Sequence, residues 1–374
     1  MSEVPALIVG GGIGGLATAI ALRHIGVEAL VIERAPVLSE IGAGLLLSPN
    51  ACRVLEILGV VEELRISAIE TPCWELLDQA GRSLANLNIV AAGEHSLSTR
   101  RSDLQAVLLK ALPSAAIRTE SEAVSARDCG SHVEVSLTDG SVLRAERVIA
   151  ADGANSALRR HLWPERVLGY RGYVGWRGIV EGYVPEGWES GRVTESWGKG
   201  RRFGIGHVGG GRTYWYATAN RSKAEKNIPT SLECLRDDFA SWHEPVGKLL
   251  GRMDPAGLLQ HPIYDSRPHW HWRRGERIAL LGDAAHPLTP NLGQGAAMAL
   301  EDALALAKCW KYPDALARYE RCRRGRLFAI LTASRCVGAM IQWEHPLLCG
   351  VRDFQLRWTP DALARAALRA LLVR

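Results

Sequence analysis

The residues Ala6-Leu7-Ile8-Val9-Gly10-Gly11-Gly12-Ile13-Gly14-Gly15 decide the fold of this 374-residue chain. Their four leading apolar residues predict a short, buried parallel strand. The stretch 16–25 continues as an apolar segment that is compatible with a helix. Between the two, Gly10-x-Gly12-x-x-Gly15 has the spacing of a turn that brings a phosphate to a helix N-terminus. The sequence therefore predicts a strand–turn–helix unit that binds a dinucleotide.

Individual positions of this glycine turn have separate physical roles. Gly10 permits the sharp turn, Gly12 lets the backbone approach a pyrophosphate, and Gly15 lets the helix pack closely on the strand. A second strand, over 28–32, ends at Glu33, about 20 residues after the turn, where the ribose of a dinucleotide is expected. The motif alone does not distinguish NAD from FAD. The cofactor contacts predicted in this region are Gly10, Gly12, Ile13, Gly14, Gly15, Glu33 and Arg34.

The composition is that of an ordinary globular enzyme, with 47% hydrophobic and 23% charged residues. A net charge of +5, spread along the chain, suits an anionic substrate and does not require nucleic acid. Eight cysteines without a C-x-x-C pair fit reduced thiols in a cytoplasmic protein and indicate no metal site. The apolar stretch 6–22 is short for a membrane span, and the dinucleotide turn explains its glycines. We expect a monomer or homodimer without membrane or nucleic-acid partners.

Two further motifs follow along the chain. Asp152-Gly153-x-x-Ser156-x-x-Arg159 comes directly after a short apolar strand at 148–151, itself preceded by a predicted strand at 142–145. Gly282-Asp283-Ala284-Ala285-His286-Pro287 runs on into Pro290-Asn291-Leu292-Gly293-Gln294-Gly295. Taken singly, Asp152 and Asp283 would be ordinary turn-forming residues before helices. Together with the glycine turn, and in this order, the motifs indicate one FAD site built from three distant stretches.

The middle of the chain differs from both ends in its tryptophan content and in its alternating hydrophobic pattern. Residues 163–272 hold eight of the twelve tryptophans and several alternating segments, which predict an antiparallel sheet with a packed aromatic face. A strand, a loop and a long helix from about Gly295 follow, and the remainder is helical. The predicted fold class is therefore α/β, a Rossmann-like FAD-binding domain interrupted by a mainly antiparallel β-sheet substrate domain, with C-terminal helices. The predicted boundaries are 1–72, 99–162 and 273–374 for the FAD-binding parts, and 73–98 and 163–272 for the substrate domain.

The motifs together resemble the class A flavoprotein monooxygenases, the family typified by p-hydroxybenzoate hydroxylase. The similarity covers nearly the whole chain, including Ile41-Gly42-Ala43-Gly44-Leu45-x-Leu47-x-Pro49-Asn50-Ala51 and Arg101-Ser102-Asp103-Leu104. Within the family the chain is most similar to salicylate-, urate- and 3-hydroxybenzoate-hydroxylase-like enzymes. The resemblance implies hydroxylation of a small aromatic or heteroaromatic substrate, with consumption of NAD(P)H and O2, through a flavin C4a-hydroperoxide.

The resemblance also implies roles for individual residues. Glu33 would hold the adenosine ribose, Arg101 would reach the ribityl or pyrophosphate region, and Asp283 would accept a hydrogen bond from a flavin-side hydroxyl. Asp152 belongs to a motif that the family associates with FAD and NAD(P)H. The segment 293–295 opens a helix whose N–H groups and dipole would favour negative charge on the reduced flavin. The remaining cofactor contacts implied are Gly44, Gly153, Gly282, Pro290, Gly293, Gln294, Gly295 and Ala296.

The substrate site is expected on the sheet domain. Strand alternation places Arg202, Gly204 and Gly206 on one face, and the two glycines leave room for a flat ring beside a fixed cation. In urate hydroxylases an arginine and a tyrosine contact the substrate at positions that match Arg202 and Tyr214. The residues predicted to act on the substrate are therefore Arg202, Tyr214 and Pro290. A solvated strand charge, or a contact to the flavin domain, is the alternative role for Arg202.

Some features limit this interpretation. Asn291 stands where the urate hydroxylases carry an aspartate, which counts against urate itself. His207 lies on the opposite strand face and is interpreted as a packed or surface histidine rather than an acid–base group. The same motifs would also suit a flavin-dependent oxidase, epoxidase or reductase of this fold, or a non-catalytic flavin-binding redox sensor.

Overall fold

The computed structural model describes residues 3–38, 44–88 and 94–372. Ile41, Gly42 and Ala43, the first residues of the stretch 41–51 that carries part of the family resemblance, lie outside these ranges. The strands are β1 (Val4–Val9), β2 (Ala29–Ile32), β3 (Gly44–Leu47), β4 (Ile69–Glu70), β5 (Cys73–Asp78), β6 (Ser83–Asn88), β7 (Leu97–Arg100), β8 (Ile117–Arg118), β9 (Ala123–Asp128), β10 (Val133–Leu137), β11 (Val142–Ala150), β12 (Gly169–Val180), β13 (Val193–Trp197), β14 (Arg201–His207), β15 (Thr213–Asn220), β16 (Leu259–Asp265), β17 (Arg273–Arg274) and β18 (Ile278–Leu280). The helices are α1 (Ile13–His24), α2 (Pro49–Ile57), α3 (Val61–Arg65), α4 (Arg101–Lys110), α5 (Ala157–Leu162), α6 (Leu232–Asp238), α7 (Val246–Arg252), α8 (Gly295–Cys309), α9 (Ala315–Ile341), α10 (Pro346–Trp358) and α11 (Asp361–Leu372).

The first sheet carries the glycine turn and has eight strands. Its centre is parallel, in the order β18-β11-β1-β2-β8, while β17, β10 and β9 add antiparallel pairings around β18 and β11. The expectation of two separate strands, at 142–145 and 148–151, is wrong, because β11 runs unbroken through Glu146 and Arg147. Its first half pairs with β10 and its second half with β1 and β18, so neighbouring backbone keeps the polar middle extended.

The second sheet has seven strands in the order β16-β12-β15-β14-β13-β5-β6 and is antiparallel except for the β13–β5 pair. One face packs its aromatic residues against α6 and α7, with Trp176, Phe203 and Trp215 almost fully buried. The other face carries polar side chains. Strand β7 belongs to a small third sheet with β3 and β4.

The predicted α/β fold class is confirmed by this architecture, in which a Rossmann-like unit is interrupted by a mainly antiparallel sheet. The precise residue boundaries of the two domains stay a prediction. Among the described residues, no helix combines the length and the apolar character needed to cross a membrane.

Backbone contact at the glycine turn fixes α1 close to β1. A Cβ atom on Gly15 would lie 1.9 Å from the carbonyl oxygen of Gly10, and one on Gly10 would lie 2.4 Å from the carbonyl oxygen of Ala151. Gly10 also has a φ of +111°, which strains any residue with a side chain. A Cβ on Gly12, in contrast, would meet nothing within 4 Å. Gly10 and Gly15 therefore serve packing, and Gly12 leaves open space over the turn.

A buried charge network holds the loop at 282–286 against α8 and α9. The Asp302 carboxylate accepts from the backbone N–H of Gly282 (3.1 Å) and from Nε of Arg323 (2.6 Å), and it is hydrogen bonded to Nε2 of His286 (2.5 Å). Burial disfavours the charged form of Asp302, but His286 and Arg323 outweigh it and lower the pKa of Asp302 to about 2. This carboxylate holds the first part of the third motif, at Gly282 and His286.

The substitution Gly15→Ala should destabilise the FAD-free protein by about 1–3 kcal/mol, because the new methyl group forces α1 away from β1. Gly12→Ala is the matched control and should stay close to wild type, since its methyl group enters open space. Thermal unfolding of both variants measures the difference. Equal losses of stability would contradict the assigned packing role of Gly15.

Asp302→Ala should lower the free energy of unfolding by about 1–3 kcal/mol at neutral pH, because it leaves Arg323 with Glu301 alone and removes the acceptor of the buried Gly282 N–H and His286. The control Asp314→Ala removes an exposed carboxylate paired with Arg318 at 2.6 Å and should leave the free energy of unfolding close to that of wild type. A carboxylate whose pKa is lower in the folded state than in the unfolded state stabilises the fold fully at pH values above its unfolded-state pKa. This contribution is lost as the pH falls through its folded-state pKa. The gap between wild type and Asp302→Ala, measured by urea unfolding, should therefore shrink from pH 3.8 down to about 2.

Candidate active site

A cavity of about 580 Å³ lies between the glycine turn, the N-terminus of α8 and the polar face of the seven-stranded sheet. It joins the three predicted motifs and the predicted substrate residues in one space. Gly15 is the single predicted site residue that does not line it, consistent with its packing contact. The predicted residues that line the cavity are Gly10, Gly12, Ile13, Gly14, Glu33, Arg34, Gly44, Arg101, Asp152, Gly153, Arg202, Tyr214, Gly282, Asp283, Pro290, Gly293, Gln294, Gly295 and Ala296.

Glu33 stands at the end of β2 beside the glycine turn. One carboxylate oxygen accepts from the backbone N–H of Gly11 (2.7 Å) and the other from that of Ala35 (3.0 Å). These bonds fix the carboxylate at the cavity wall. Because an ionised carboxylate offers about four acceptor sites, Glu33 keeps capacity for a ribose hydroxyl.

Asp152 has one structural oxygen and one without a partner. Oδ2 accepts from the backbone N–H of Ala157 (2.8 Å) and holds the start of α5, as a turn-forming residue does. Oδ1 is buried at the cavity wall and has no hydrogen-bond partner among the described residues. Burial raises the pKa of Asp152. A buried acceptor of this kind fits a hydroxyl-bearing ligand in the cavity.

Asp283 and the first turn of α8 face the same part of the cavity. Burial raises the pKa of Asp283, while nearby His286, Arg101 and Arg159 act in the opposite direction. Gly293 has a φ of +62° and turns the chain into α8. The Gln294 side chain bonds Ser48 and Asn50 of the α2 region, so α8 offers its free backbone N–H groups rather than this amide.

Sequence reasoning missed Glu195, which binds Arg202. Nη1 of Arg202 lies 3.4 Å from Oε2 of Glu195, and both side chains are at most 2% exposed. Trp197 donates its indole N–H to Oε1 of Glu195 (2.5 Å), and the Tyr216 hydroxyl donates to Oε2. Nε and Nη2 of Arg202 have no hydrogen-bond partner among the described residues. An acidic residue on the same sheet face as Arg202, one strand away, was the available signal.

Of the two glycines expected to leave open space beside Arg202, only Gly206 does so. A Cβ on Gly204 would lie 2.1 Å from Cε1 of Tyr216, because that ring lies over the glycine. A Cβ on Gly206 would come no closer than 3.3 Å to Val193. The prediction that both glycines leave room for a flat ring is therefore wrong for Gly204, whose missing side chain makes room for Tyr216.

Arg177 and His261 are two further cavity residues that the sequence did not indicate. Burial, assisted by Arg177, lowers the pKa of His261 to about 4, so the imidazole is neutral at pH 7. Tyr214 lies at the cavity wall near Arg177, and burial raises its pKa. Its ring occupies the space that a Cβ on Gly44 would need, 2.3 Å from Cγ. Gly44 thereby packs β3 against the sheet.

Asn291 and His207 lie outside the cavity lining. The Asn291 amide accepts from the Tyr173 hydroxyl (3.2 Å) and donates to Thr289 (2.9 Å) and Ser334 (3.0 Å), which ties the sheet to α9. His207 is 9% exposed and packed, as its position on the opposite strand face predicted.

A compact cysteine, histidine and carboxylate group on the β9–β10 hairpin also lies outside the cavity. Its ligand atoms, from Cys129, His132 and Glu134, lie within 4.8 Å of one another. Glu134 is already paired with Arg127 and Arg144. The guanidinium groups next to it oppose binding of a metal cation there.

The cavity fits the FAD expected from the motifs. It offers open space over Gly12, an unpartnered oxygen on Asp152 and the free N–H groups at the start of α8. These are the donor and acceptor types that a pyrophosphate, a ribityl chain and a flavin ring require.

Comparison with known proteins agrees with this fit. The family model described as FAD binding domain matches residues 3–324. The chain is 35% identical to the aurachin C monooxygenase/isomerase of Stigmatella aurantiaca, over 94% of this chain and 93% of that protein. It is 33% identical to the 2-heptyl-3-hydroxy-4(1H)-quinolone synthase of Pseudomonas aeruginosa, over 96% and 95%.

The solved structure of Klebsiella pneumoniae HpxO complexed with FAD and uric acid has the same fold. It superposes with a TM-score of 0.88 at 27% identity, covering 99% of this chain and 97% of that one. Cavity, motifs and relatives agree on the cofactor and the reaction class. The chain belongs to the FAD-binding-domain family of class A aromatic monooxygenases and is an FAD-dependent monooxygenase.

Proposed function

We propose that this enzyme hydroxylates a small heteroaromatic ring that carries a ring carbonyl, of the 4-quinolone kind, with NAD(P)H and O2 as co-substrates. The observation that carries the proposal is the pair of unpartnered N–H donors on buried Arg202 at the cavity wall. A carbonyl oxygen and a neighbouring acceptor on a planar ring match such a donor edge. The name of the quinolone synthase among the relatives supports this ring class.

We assign one group of residues to binding the cofactor and another to binding the substrate ring. We assign the cofactor to the glycine turn, Glu33, Asp152, Asp283 and the start of α8. When bound there, FAD would supply the redox chemistry that converts a C–H bond of the substrate ring into C–OH. Arg202 orients the ring carbonyl and Tyr214 contacts the ring, while Pro290 borders the cavity between sheet and α8.

The surroundings of the ring support water exclusion and a fixed orientation. Arg202 and Glu195 are almost fully buried, so their hydrogen bonds act in a medium of low dielectric constant. Asn291, which would be an aspartate in the urate enzymes, is fully engaged with Tyr173, Thr289 and Ser334. Its side chain is therefore committed to structure, which favours a substrate other than urate.

All eight cysteines are free thiols, in keeping with a cytoplasmic location.

The FAD-loaded protein should oxidise NADH or NADPH faster when 4-hydroxyquinoline is added, and the product should contain one additional oxygen atom by mass spectrometry. NAD(P)H oxidation without an oxygenated product would favour an oxidase or reductase. No stimulation by 4-hydroxyquinoline or by a panel of aromatic acids and purines would favour a redox sensor.

Arg202→Lys should reduce kcat/KM for that ring by roughly thirtyfold, the loss expected for about 2 kcal/mol of hydrogen bonding, because lysine cannot present two parallel donors. FAD affinity, followed by flavin fluorescence, should stay unchanged. The matched control is Arg201→Lys, because Arg201 pairs with Asp238 (2.9 Å) on the opposite face of the same strand. A fall in FAD affinity with unchanged efficiency would instead assign Arg202 to the cofactor.

A further inference from the structure

Glu195 sits at the cavity wall with every described contact coming from a hydrogen-bond donor. The donors come from three neighbouring strands: Trp197 from its own strand β13, Arg202 from β14 and Tyr216 from β15. Glu195 is 2% exposed. A carboxylate buried so deeply is retained only when its charge is compensated, and Arg202 is the cation that compensates it.

Gly204 makes this arrangement possible. Arg177, Tyr216, Gly204 and Glu195 form one in-register row across β12, β15, β14 and β13. The Tyr216 ring lies over the bare backbone of Gly204, which any side chain would block, and its hydroxyl thereby reaches Glu195 two strands away. The carboxylate is therefore held rigidly beside Arg202 rather than free to swing away from it.

Arg202 and Glu195 both line the cavity, and as a pair they carry hydrogen-bond donors but little net charge. Nε and Nη2 of Arg202 remain unpartnered, whereas the positive charge is already balanced by Glu195. A neutral ring carbonyl would satisfy these donors without adding charge. A ring carboxylate would place two buried negative charges around one guanidinium, which costs free energy.

We propose that Glu195 is a specificity-determining residue that makes this pocket select an uncharged ring carbonyl over a ring carboxylate. The inference rests on the proposed function, because it requires the ring to bind at Arg202. It narrows the proposed substrate class from carbonyl-bearing heteroaromatic rings, charged or uncharged, to uncharged ones.

Arg177 is the other arginine of the seven-stranded sheet that lines the cavity. Among the described residues Arg177 has no carboxylate partner. Its positive charge acts to lower the pKa of His261, Tyr214 and Arg101. Its strand is two removed from that of Arg202, so the two backbones are roughly 10 Å apart. An anionic ring that binds on the sheet but away from Arg202 would be anchored at Arg177, and this gives a distinct experimental outcome.

The test compares two matched probes, 4-hydroxyquinoline and 4-hydroxyquinoline-2-carboxylate, by their perturbation of the flavin absorption spectrum of the FAD-loaded protein at neutral pH. Wild type should bind the neutral probe at least about tenfold more tightly, and Glu195→Gln should shift the ratio of the two Kd values toward the carboxylate by at least about tenfold. Glutamine keeps the shape and an acceptor but removes the charge.

Two control variants isolate the charge of Glu195. Tyr216→Phe removes one hydrogen bond to Glu195 but keeps its charge and its bonds from Trp197 and Arg202, so the preference for the neutral probe should remain. Glu75→Gln removes a carboxylate of the same sheet that pairs with Arg192 (2.5 Å) outside the cavity, and it should leave the ratio unchanged. An unchanged ratio in Glu195→Gln would overturn the inference.

The wild-type ratio is decisive even if Glu195→Gln does not retain FAD, because tighter binding of the carboxylate probe would overturn the inference directly. If Arg177→Gln then abolished that binding, the anion site would belong to Arg177. Arg202→Lys separates the two proposals. If it weakens neither probe, or if neither probe binds wild type, the proposed function fails together with the inference. If it weakens both while wild type prefers the carboxylate, only the role of Glu195 fails.

Discussion

The backbone contact between Gly15 and the Gly10 carbonyl is the constraint on which the rest of the structure depends. It seats α1 directly on β1, and the open space over Gly12 follows from that seating. With α1 in place, the parallel order β18-β11-β1-β2 brings the ends of three strands to one edge. Glu33, Asp152 and the loop at 282–286 all leave the sheet at that edge. A cofactor site assembled from distant segments is the consequence of this single close approach.

Two buried carboxylates of this protein, Asp302 and Glu195, have different roles. Asp302 is saturated by Gly282, His286 and Arg323, and it serves only to hold the third motif in position. Glu195 is equally buried, but it stands at the cavity wall, and its partner Arg202 keeps two unpartnered donors. In both cases the cost of burying a charge is offset by a guanidinium. Only the second pair lines the cavity and keeps unpartnered donors, which is the basis for the proposal that it binds the substrate ring.

Glycines on the polar face of the seven-stranded sheet, like Gly10 and Gly15 of the turn, allow a close approach that a Cβ atom would prevent. Gly204 accommodates the ring of Tyr216, and Gly44 accommodates the ring of Tyr214. Each missing side chain allows an aromatic ring from a neighbouring strand to approach the backbone. The polar face is thus shaped by rings resting on bare backbone, and the cavity next to Arg202 is narrower than strand alternation alone indicates.

The sequence by itself determined the FAD-binding unit, the interrupting antiparallel sheet and the three motifs, because glycine spacing and strand periodicity are local properties that survive in a one-dimensional pattern. It also placed Arg202 and Tyr214 on one sheet face, since side chains alternate along a strand. Tertiary structure alone decided that Glu195 balances Arg202, that Tyr216 fills the space over Gly204 and that Arg177 faces the same cavity. These relations depend on the order and register of strands that are distant in the chain. No period within a single strand encodes which neighbour it will meet.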